Sequence, residues 1–549
     1  MTGSSERPAG ARDWIAVLVL SLVVFAIAHR QAFLSPYVIN DDVRQQIFWM
    51  ARWLDPALYP ANLLNDYAAA YVPAGVKALY FVAAKGAGCD PLLFSKILSG
   101  ILLCVLALGL WGIGRSLGGR GLGLACASMA WLMPFFLKNI SGGLSRSFAS
   151  PLLALFLWAW LRRRGTGMAL TLLVEAVCIP YIAIVCAGCC CLDAAVSRIG
   201  RRTGPAFPAR PWHGLVLAVA AGLVWRMNHA LALDGFGPLV SGFAVLGRPE
   251  FSATGRLALF PLPNPFFDLI YWPFESIGLF LDIGLAAGIV SLVVLLPVLV
   301  RGGRRAPWAA GLPKLRPVAF LLAGSLVLYA LARGVAFALF VPDRYITYSL
   351  NLLYALGLAV CLRWALAPAV CSRRRAAVLL LVAAGLGAWR LTGAGLYDYS
   401  RDAPLYTAVA ALPKDALVAG NPDVLDNVLT FGRRNVLASF ELAHPWNQGY
   451  WRRFEPRLAD QVEAYYAKDP AAVRELVRDY GVTHIVVRDA DFTAAATKDH
   501  PLFAPYDGRI AALARKPGDY VLLDRERFPG VTVAPGLRLL DVRALAVRP

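Results

Sequence analysis

Apolar runs of about 17–25 residues recur along the first ~400 positions, and a run of that length is what a helix needs to cross roughly 30 Å of hydrocarbon. In lipid the backbone must satisfy its own hydrogen bonds, so such runs fold as packed helices. A polytopic α-helical membrane protein is therefore expected. The 549 residues are 58% hydrophobic, with a mean hydropathy of +0.56, which excludes a soluble globular chain of this size. A net charge of +19 would point to nucleic acid in a soluble protein. Here much of the basic excess sits in short loops between apolar runs, where it sets topology. Membrane lipids are expected as partners and nucleic acid is not. The ten cysteines all precede position 372 and lie mostly in apolar segments, where thiols act as small hydrophobes. They form neither a disulfide framework nor a zinc spacing.

Trp14–Ala28 reads as a retained first span, with Arg7 and Arg12 before it marking a cytoplasmic N-terminus. Residues 30–90 form a long outer loop whose short apolar piece, Pro73–Ala84, is expected at the interface or dipping partway in. Pro91–Ile113 returns to a turn marked by Arg115 and Arg120, and Gly121–Leu137 goes out again. Phe148–Leu161 comes back to Arg162–Arg164. Met168–Ala194 has arginines at both ends and Pro180 near its middle, where a missing N–H and a ring clash break a helix. A hairpin of two short helices is expected there, with Glu175 buried near its tip. His213–Leu231 leads to a second long outer loop, residues 233–275. Ile277–Val300, Pro317–Phe340, Tyr345–Leu366 and Ala376–Leu391 complete the map. Counting the hairpin as two gives about eleven transmembrane helices, an odd number, with residues 1–396 as the membrane domain.

From about Tyr397 the composition becomes that of a soluble α/β domain, residues 397–549, placed outside by the parity of the spans. Ala416–Ala419, Val482–Val487 and Tyr520–Leu523 read as short strands and Ala471–Tyr480 as a helix. Alternating helices and β-rich runs imply a small open sheet covered by helices.

Three outer stretches carry charge where charge is costly. Asn40-Asp41-Asp42, followed by Arg44, Gln45 and Gln46, sits where the first span leaves the membrane. Ser141–Ser147 is a small-residue loop holding Arg146. Pro342-Asp343-Arg344-Tyr345 joins two spans tightly, which keeps Arg344 at the membrane surface. The map puts all three on one side. Acids beside two arginines at a lipid–water boundary suit a substrate with an anionic phosphate head and an apolar tail. The arginines would hold the phosphate, and an aspartate would deprotonate an acceptor hydroxyl. The plain alternative makes the aspartates a polar stop and the arginines interfacial anchors. Asp66 is a further acid that would help bind substrate or metal, set against the plain reading of a solvated loop acid; Asp268 and Glu275 are candidates to line the same cavity, and His444-Pro445-Trp446 has the makings of a sugar-stacking corner or of a local turn.

The acidic pair Asp41-Asp42 opening the first outer loop, the hairpin broken at Pro180, Pro342-Asp343-Arg344-Tyr345 and the outer C-terminal domain together resemble the GT-C superfamily of membrane glycosyltransferases. The resemblance implies sugar transfer from a polyprenyl-phosphate carrier, on the outer face of a bacterial inner membrane, to a glycan, lipid or protein acceptor. It implies that Asp41 or Asp42 is base or metal ligand, with a divalent cation such as Mg or Mn as cofactor. Arg344 matches the arginines that contact the lipid phosphate, and Arg146, Tyr345, Gln45 and Asp66 join it as substrate-binding residues. The outer segment lacks a WWD-type motif, which favours single-sugar transfer over transfer of a whole glycan. Inversion at the anomeric carbon is expected from direct attack, and the sugar is a hexose or a pentose. Two rivals remain, a lipid or solute transporter and a non-catalytic cell-envelope glycan-binding assembly protein.

Overall fold

The computed structural model describes residues 11–199, 207–208, 210–258, 262–271, 315–335, 339, 341–365, 373–498 and 501–546. The expected span Ile277–Val300, its closing arginines Arg301, Arg304 and Arg305, and also Arg7, Arg201, Arg202, Glu275, Phe340 and Leu366 lie outside them. Among the described residues, four helices are long and apolar enough to cross a bilayer: Pro91–Leu132, Pro180–Ile199, Pro211–Leu233 and Arg316–Gly334. Pro91–Leu132 is two helices joined at a break, with Gly118 at φ −148° and Gly119 at φ +75°. Glycine alone takes such a pair of conformations without a Cβ penalty, and the break falls between Arg115 and Arg120 as the charges required. Its two limbs pack against helices Ala11–Ala28, Ala149–Leu161, Thr347–Ala365 and Arg373–Arg390 and form the centre of the helical layer. This is a multi-pass membrane protein.

The helix break at Pro180 is present, but the second helix is not short: at 20 residues Pro180–Ile199 is long and apolar enough to cross a bilayer. Helix Gly165–Cys178 ends at Ile179 and helix Pro180–Ile199 begins at the proline, the two lying against each other. Glu175 is fully buried and accepts a bond from Cys186 Sγ at 3.5 Å. The apolar piece of the first loop forms helix Ala74–Ala87, bent by 108° from helix Leu63–Tyr71. Val72 is extended at φ −75°, ψ +131°, as the residue before a proline prefers.

In the last third, strands β3 (Leu417–Ala419), β4 (Asn435–Val436), β5 (His484–Arg488), β6 (Gly530–Ala534) and β7 (Leu537–Asp541) form one sheet in the order β4-β3-β5-β7-β6. β3 is parallel to both β4 and β5, whereas β7 is antiparallel to β5 and β6. The β-branched run before Arg488 suits a strand buried on both faces. Gly481, at φ +70°, ends helix Pro470–Tyr480 just before it. Tyr520–Leu523 is not a strand. Val521–Leu523 is a short 3-10 turn with Leu522 fully buried, because four apolar residues without alternation are satisfied equally by a buried turn. The sheet's edge is instead the β6–β7 hairpin.

The segment of residues 30–90 is tied to this last third. Strand β1 (Val38–Ile39) pairs antiparallel with β2 (Tyr397–Asp398). Tyr59 OH donates to Leu429 O at 2.8 Å and Asn65 Nδ2 to Asn435 Oδ1 at 2.8 Å. Arg433 pairs with Asp90 at 2.6 Å.

Candidate functional site

Pairing of β1 with β2 sets the chain direction just before the acidic turn. Residues 40–42 then turn into the short helix Val43–Gln46, with Val43 N bonding back to Asn40 O at 3.2 Å and Arg44 N to Asp41 O at 3.1 Å. This helix turns Val43, Arg44 and Gln45 inward. Arg44 is 5% exposed and acts as a hub. It pairs with Asp41, with Glu441 at 3.4 Å and with Asp426 at 3.8 Å, and it lies 4.4 Å over the Tyr399 ring. Helix Pro422–Phe431, capped by the Asn421 side chain on Asp423 N at 3.1 Å, carries Asp426 to that position.

Asp42 is held on its other side. It pairs with Arg146 and accepts from Gln45 Nε2 at 2.9 Å. Arg146 NH2 also donates to Asn40 Oδ1 at 3.1 Å. The loop that delivers Arg146 turns at Gly142 (φ +100°) and Gly143 (φ +60°). A Cβ on Gly142 would lie 2.9 Å from Asn40 Cβ, so the loop approaches the acidic turn as closely as only glycine permits.

These groups face a cavity of about 590 Å³. Asp41, Asp42, Gln45, Arg146, Arg344 and Tyr345 all line it, so three stretches about one hundred and then about two hundred residues apart in the chain meet in one place. Arg344 lies in the 3-10 turn Pro342–Tyr345 and donates from NH1 to Tyr348 OH at 3.5 Å. Tyr345 is 3% exposed and its hydroxyl is committed to Leu339 O at 2.9 Å. It contributes wall and no free donor.

Asp66 is not among the lining residues. It is exposed on helix Leu63–Tyr71, where Tyr67 and Tyr71 take the inward face and its own position is rotated by about 100°. Asp268 is absent from the lining too and accepts from Tyr329 OH at 2.6 Å. The Trp446 ring is stacked on His444, centroids 4.2 Å apart, and packs with Val240, Val245 and Phe251. With His444 and Asn447 it lines the cavity described above.

Sequence reasoning missed two of the charged lining groups, Glu441 and Arg256. Glu441 lies in the turn before helix Gln448–Tyr465, and its carboxylate accepts from Arg256 NH2 at 3.4 Å and Gln45 Nε2 at 3.3 Å. Burial, reinforced by Asp41 and Asp42 and opposed by Arg256 and Arg44, raises its pKa above the usual carboxylate range. Burial does the same to Asp426, with Glu441 adding to it and Arg44 opposing. Arg256 comes from the segment after helix Pro211–Leu233, which docks on the same turn through Val240 N to Trp446 O at 2.8 Å. The signal for it was faint, one arginine in a loop rich in Pro, Phe and Gly. One oxygen from each of Asp41, Asp42 and Glu441 lies within 4.8 Å of the others. Hard oxygen donors in that number suit Mg or Mn, although each carboxylate already has an arginine beside it.

No protein-family model and no curated protein matches this sequence. Solved structures do match. ArnT from Cupriavidus metallidurans in the apo state superposes with a TM-score of 0.54 at 13% identity, over 98% of this chain and 100% of that one. The fold is that of the GT-C glycosyltransferases. The oligosaccharyltransferase from Archaeoglobus fulgidus, tethered to an acceptor peptide containing the NVT sequon, gives 0.51 at 12% identity, over 91% of this chain and 72% of that one. The mycobacterial arabinofuranosyltransferase AftD gives 0.47 at 18% identity, over 88% of this chain and 37% of that one. The cavity is walled by the segment of residues 30–90, the ends of several helices and the sheet-bearing segment together.

Proposed function

We propose that this protein is a glycosyltransferase that moves a single sugar from a polyprenyl-phosphate donor to an acceptor on the outer face of a bacterial inner membrane. One observation carries the reading. Asp41, Asp42, Arg146 and Arg344 line one cavity instead of lying on separate surfaces, as membrane anchors would. In this reading Arg344 and Arg146 take the donor phosphate, the bidentate anion chemistry for which guanidinium is suited. Asp41 or Asp42 accepts the proton of the acceptor hydroxyl. The acceptor oxygen forms its bond to the anomeric carbon as the bond from that carbon to the phosphate oxygen breaks. The electron pair leaves with polyprenyl phosphate, and the configuration inverts. A divalent cation held by Asp41, Asp42 and Glu441 would supply Lewis-acid stabilisation of phosphate charge. Residues 397–549 form the outer domain in this arrangement, and about eleven passes make up residues 1–396.

The rivals fare less well. A transporter of the repeat type would show broken helices at corresponding positions of two halves, and a plain binding protein has no use for acids and arginines gathered in one cavity. The test is thermal stabilisation of the detergent-purified protein by polyprenyl phosphate. A ligand that binds only the folded state raises the melting temperature through RT ln(1 + [L]/Kd). Stabilisation of the wild type that is lost in Arg344→Ala is expected, followed by a screen of polyprenyl-phosphate sugars as donors. No stabilisation of the wild type at any concentration sinks the donor assignment.

A further inference from the structure

Asp41 and Asp42 are neighbours in sequence, yet they are held by different machinery. Asp41 Oδ1 takes the Arg44 guanidinium and the Tyr399 hydroxyl, the latter at 2.6 Å. Arg44 also serves Glu441 and Asp426, so Asp41 belongs to a buried charge hub. Asp42 instead ends a chain of neutral hydrogen bonds that starts in the outer segment.

Each direction in that chain can be worked out. Gln45 Nε2 stands 2.9 Å from Asp42 Oδ1 and 3.3 Å from Glu441 Oε2. Asp42 is ion-paired with Arg146 and its carboxylate accepts, so the amide nitrogen must face it and Gln45 Oε1 must face away. That oxygen meets His444 Nε2 at 2.9 Å. An amide oxygen cannot donate, hence Nε2 carries the imidazole proton and Nδ1 is bare. Nδ1 then takes the Tyr67 hydroxyl proton at 2.7 Å. The Tyr67 oxygen in turn accepts from Asn447 Nδ2 at 2.6 Å. The donations therefore run one way, from Asn447 through Tyr67, His444 and Gln45 to Asp42.

The setting suits such a chain. His444 is 1% exposed, and Tyr67 and Asn447 are fully buried. Burial, with Arg256 adding to it, holds the His444 pKa well below the ordinary value. Ring stacking of Tyr67 on Tyr450, 3.6 Å between centroids, and of His444 on Trp446 fixes both members in place. Bonds linked head to tail polarise one another, which strengthens the last one, on Asp42 Oδ1.

We propose that His444 is a positioning residue for Asp42, acting through Gln45, and that Asp42 rather than Asp41 is the base of the reaction. The assignment rests on the glycosyltransferase reading. Gln45 fixes one oxygen of Asp42 and leaves the other to Arg146, the cavity arginine that a phosphate would draw on. Asp41 keeps the hub together.

Nitrogen NMR of the full-length protein labelled with 15N-histidine tests this without a substrate, and His444→Phe identifies the resonances among the six histidines. The wild type is expected to show His444 as the neutral Nε2–H tautomer across the range in which exposed histidines titrate. Asp42→Asn and Gln45→Ala are expected to shift its Nε2 signal, and Asp41→Asn is not. With a donor found by the screen, His444→Phe should lower kcat by about 10–100-fold at unchanged KM, since misplacing a reacting group by about 1 Å costs on that order. His444→Gln, whose amide can still donate to Gln45, should recover most of the loss. An Nδ1–H tautomer, an equal response to the two aspartate variants, or wild-type kcat in His444→Phe overturns the proposal. Absence of polyprenyl-phosphate binding by the wild type overturns the glycosyltransferase reading instead, and the tautomer still decides the relay.

Discussion

Glu441 shows what a single buried carboxyl does to the pH response of the whole protein. It accepts from Arg44, Gln45 and Arg256, but burial outweighs these partners and its pKa is raised. A carboxyl with a raised pKa holds its proton longer when folded than when unfolded. Its contribution to stability is complete below the unfolded pKa, about 4.3, and is lost as pH rises through the folded value. Melting temperature should therefore fall with rising pH across that window in the wild type. Glu441→Gln, which cannot titrate, should flatten the slope, the two proteins diverging by on the order of 1–3 kcal/mol. The comparison needs only a melting curve at each pH, and parallel curves would show that Glu441 is ionised throughout. Glu441 was invisible as a site residue in the sequence because its neighbours there, Phe440 and Leu442, read as an ordinary apolar turn. The acids and arginines that give it meaning lie some two to four hundred residues away.

Elements built around local backbone chemistry were more legible. Pro180 announces a helix break wherever it lies, so the hairpin needed no knowledge of tertiary contacts. Gly118 and Gly119 likewise mark the turn between two limbs of the longest helix. The Ser141–Ser147 loop is a finer case. Its small residues and arginine pointed to an anion site, whereas its approach to Asn40 could only be seen in three dimensions. Gly142 at φ +100° has no room for a Cβ against Asn40, and Asn40 holds both Arg146 and Gly395 O, the latter at 2.8 Å. Gly142→Ala should then cost about 1–3 kcal/mol from backbone strain and push Asn40 away from Arg146. Stabilisation by polyprenyl phosphate should weaken beyond what the lower melting temperature explains. A variant that melts lower yet gains as much from the ligand as the wild type would confine Gly142 to a folding role. Strand edges were the least legible elements, since a four-residue apolar run such as Tyr520–Leu523 carries no period to read.

At the scale of the molecule, contacts between distant segments constrain the topology more tightly than hydropathy does. The first outer loop touches the sheet-bearing segment through β1–β2, Arg433 with Asp90, and Lys414 with Asp55 at 2.6 Å. Both must lie on one side of the membrane, so the chain crosses an even number of times between Asp90 and Tyr397. Eleven passes satisfy this, one before the loop and ten after it. Ion pairs at the other face agree. Arg120 pairs with Asp13 at 2.6 Å and Arg316 with Asp193, joining ends that the arginine-rich loops group on one side in the charge map. Single cysteines introduced at Asp55 and at Lys414, which are both solvent-facing, should therefore react with a membrane-impermeant thiol reagent in intact cells, above the background of the native cysteines. A cysteine at the exposed Arg164 should react only after permeabilisation. Labelling of Asp55 and Lys414 from opposite sides is incompatible with the fold. Labelling of Arg164 from outside would leave the fold standing and remove the outer-face site, because Arg146, just before helix Ala149–Leu161, lines the cavity and Arg162–Arg164 follow the helix's other end.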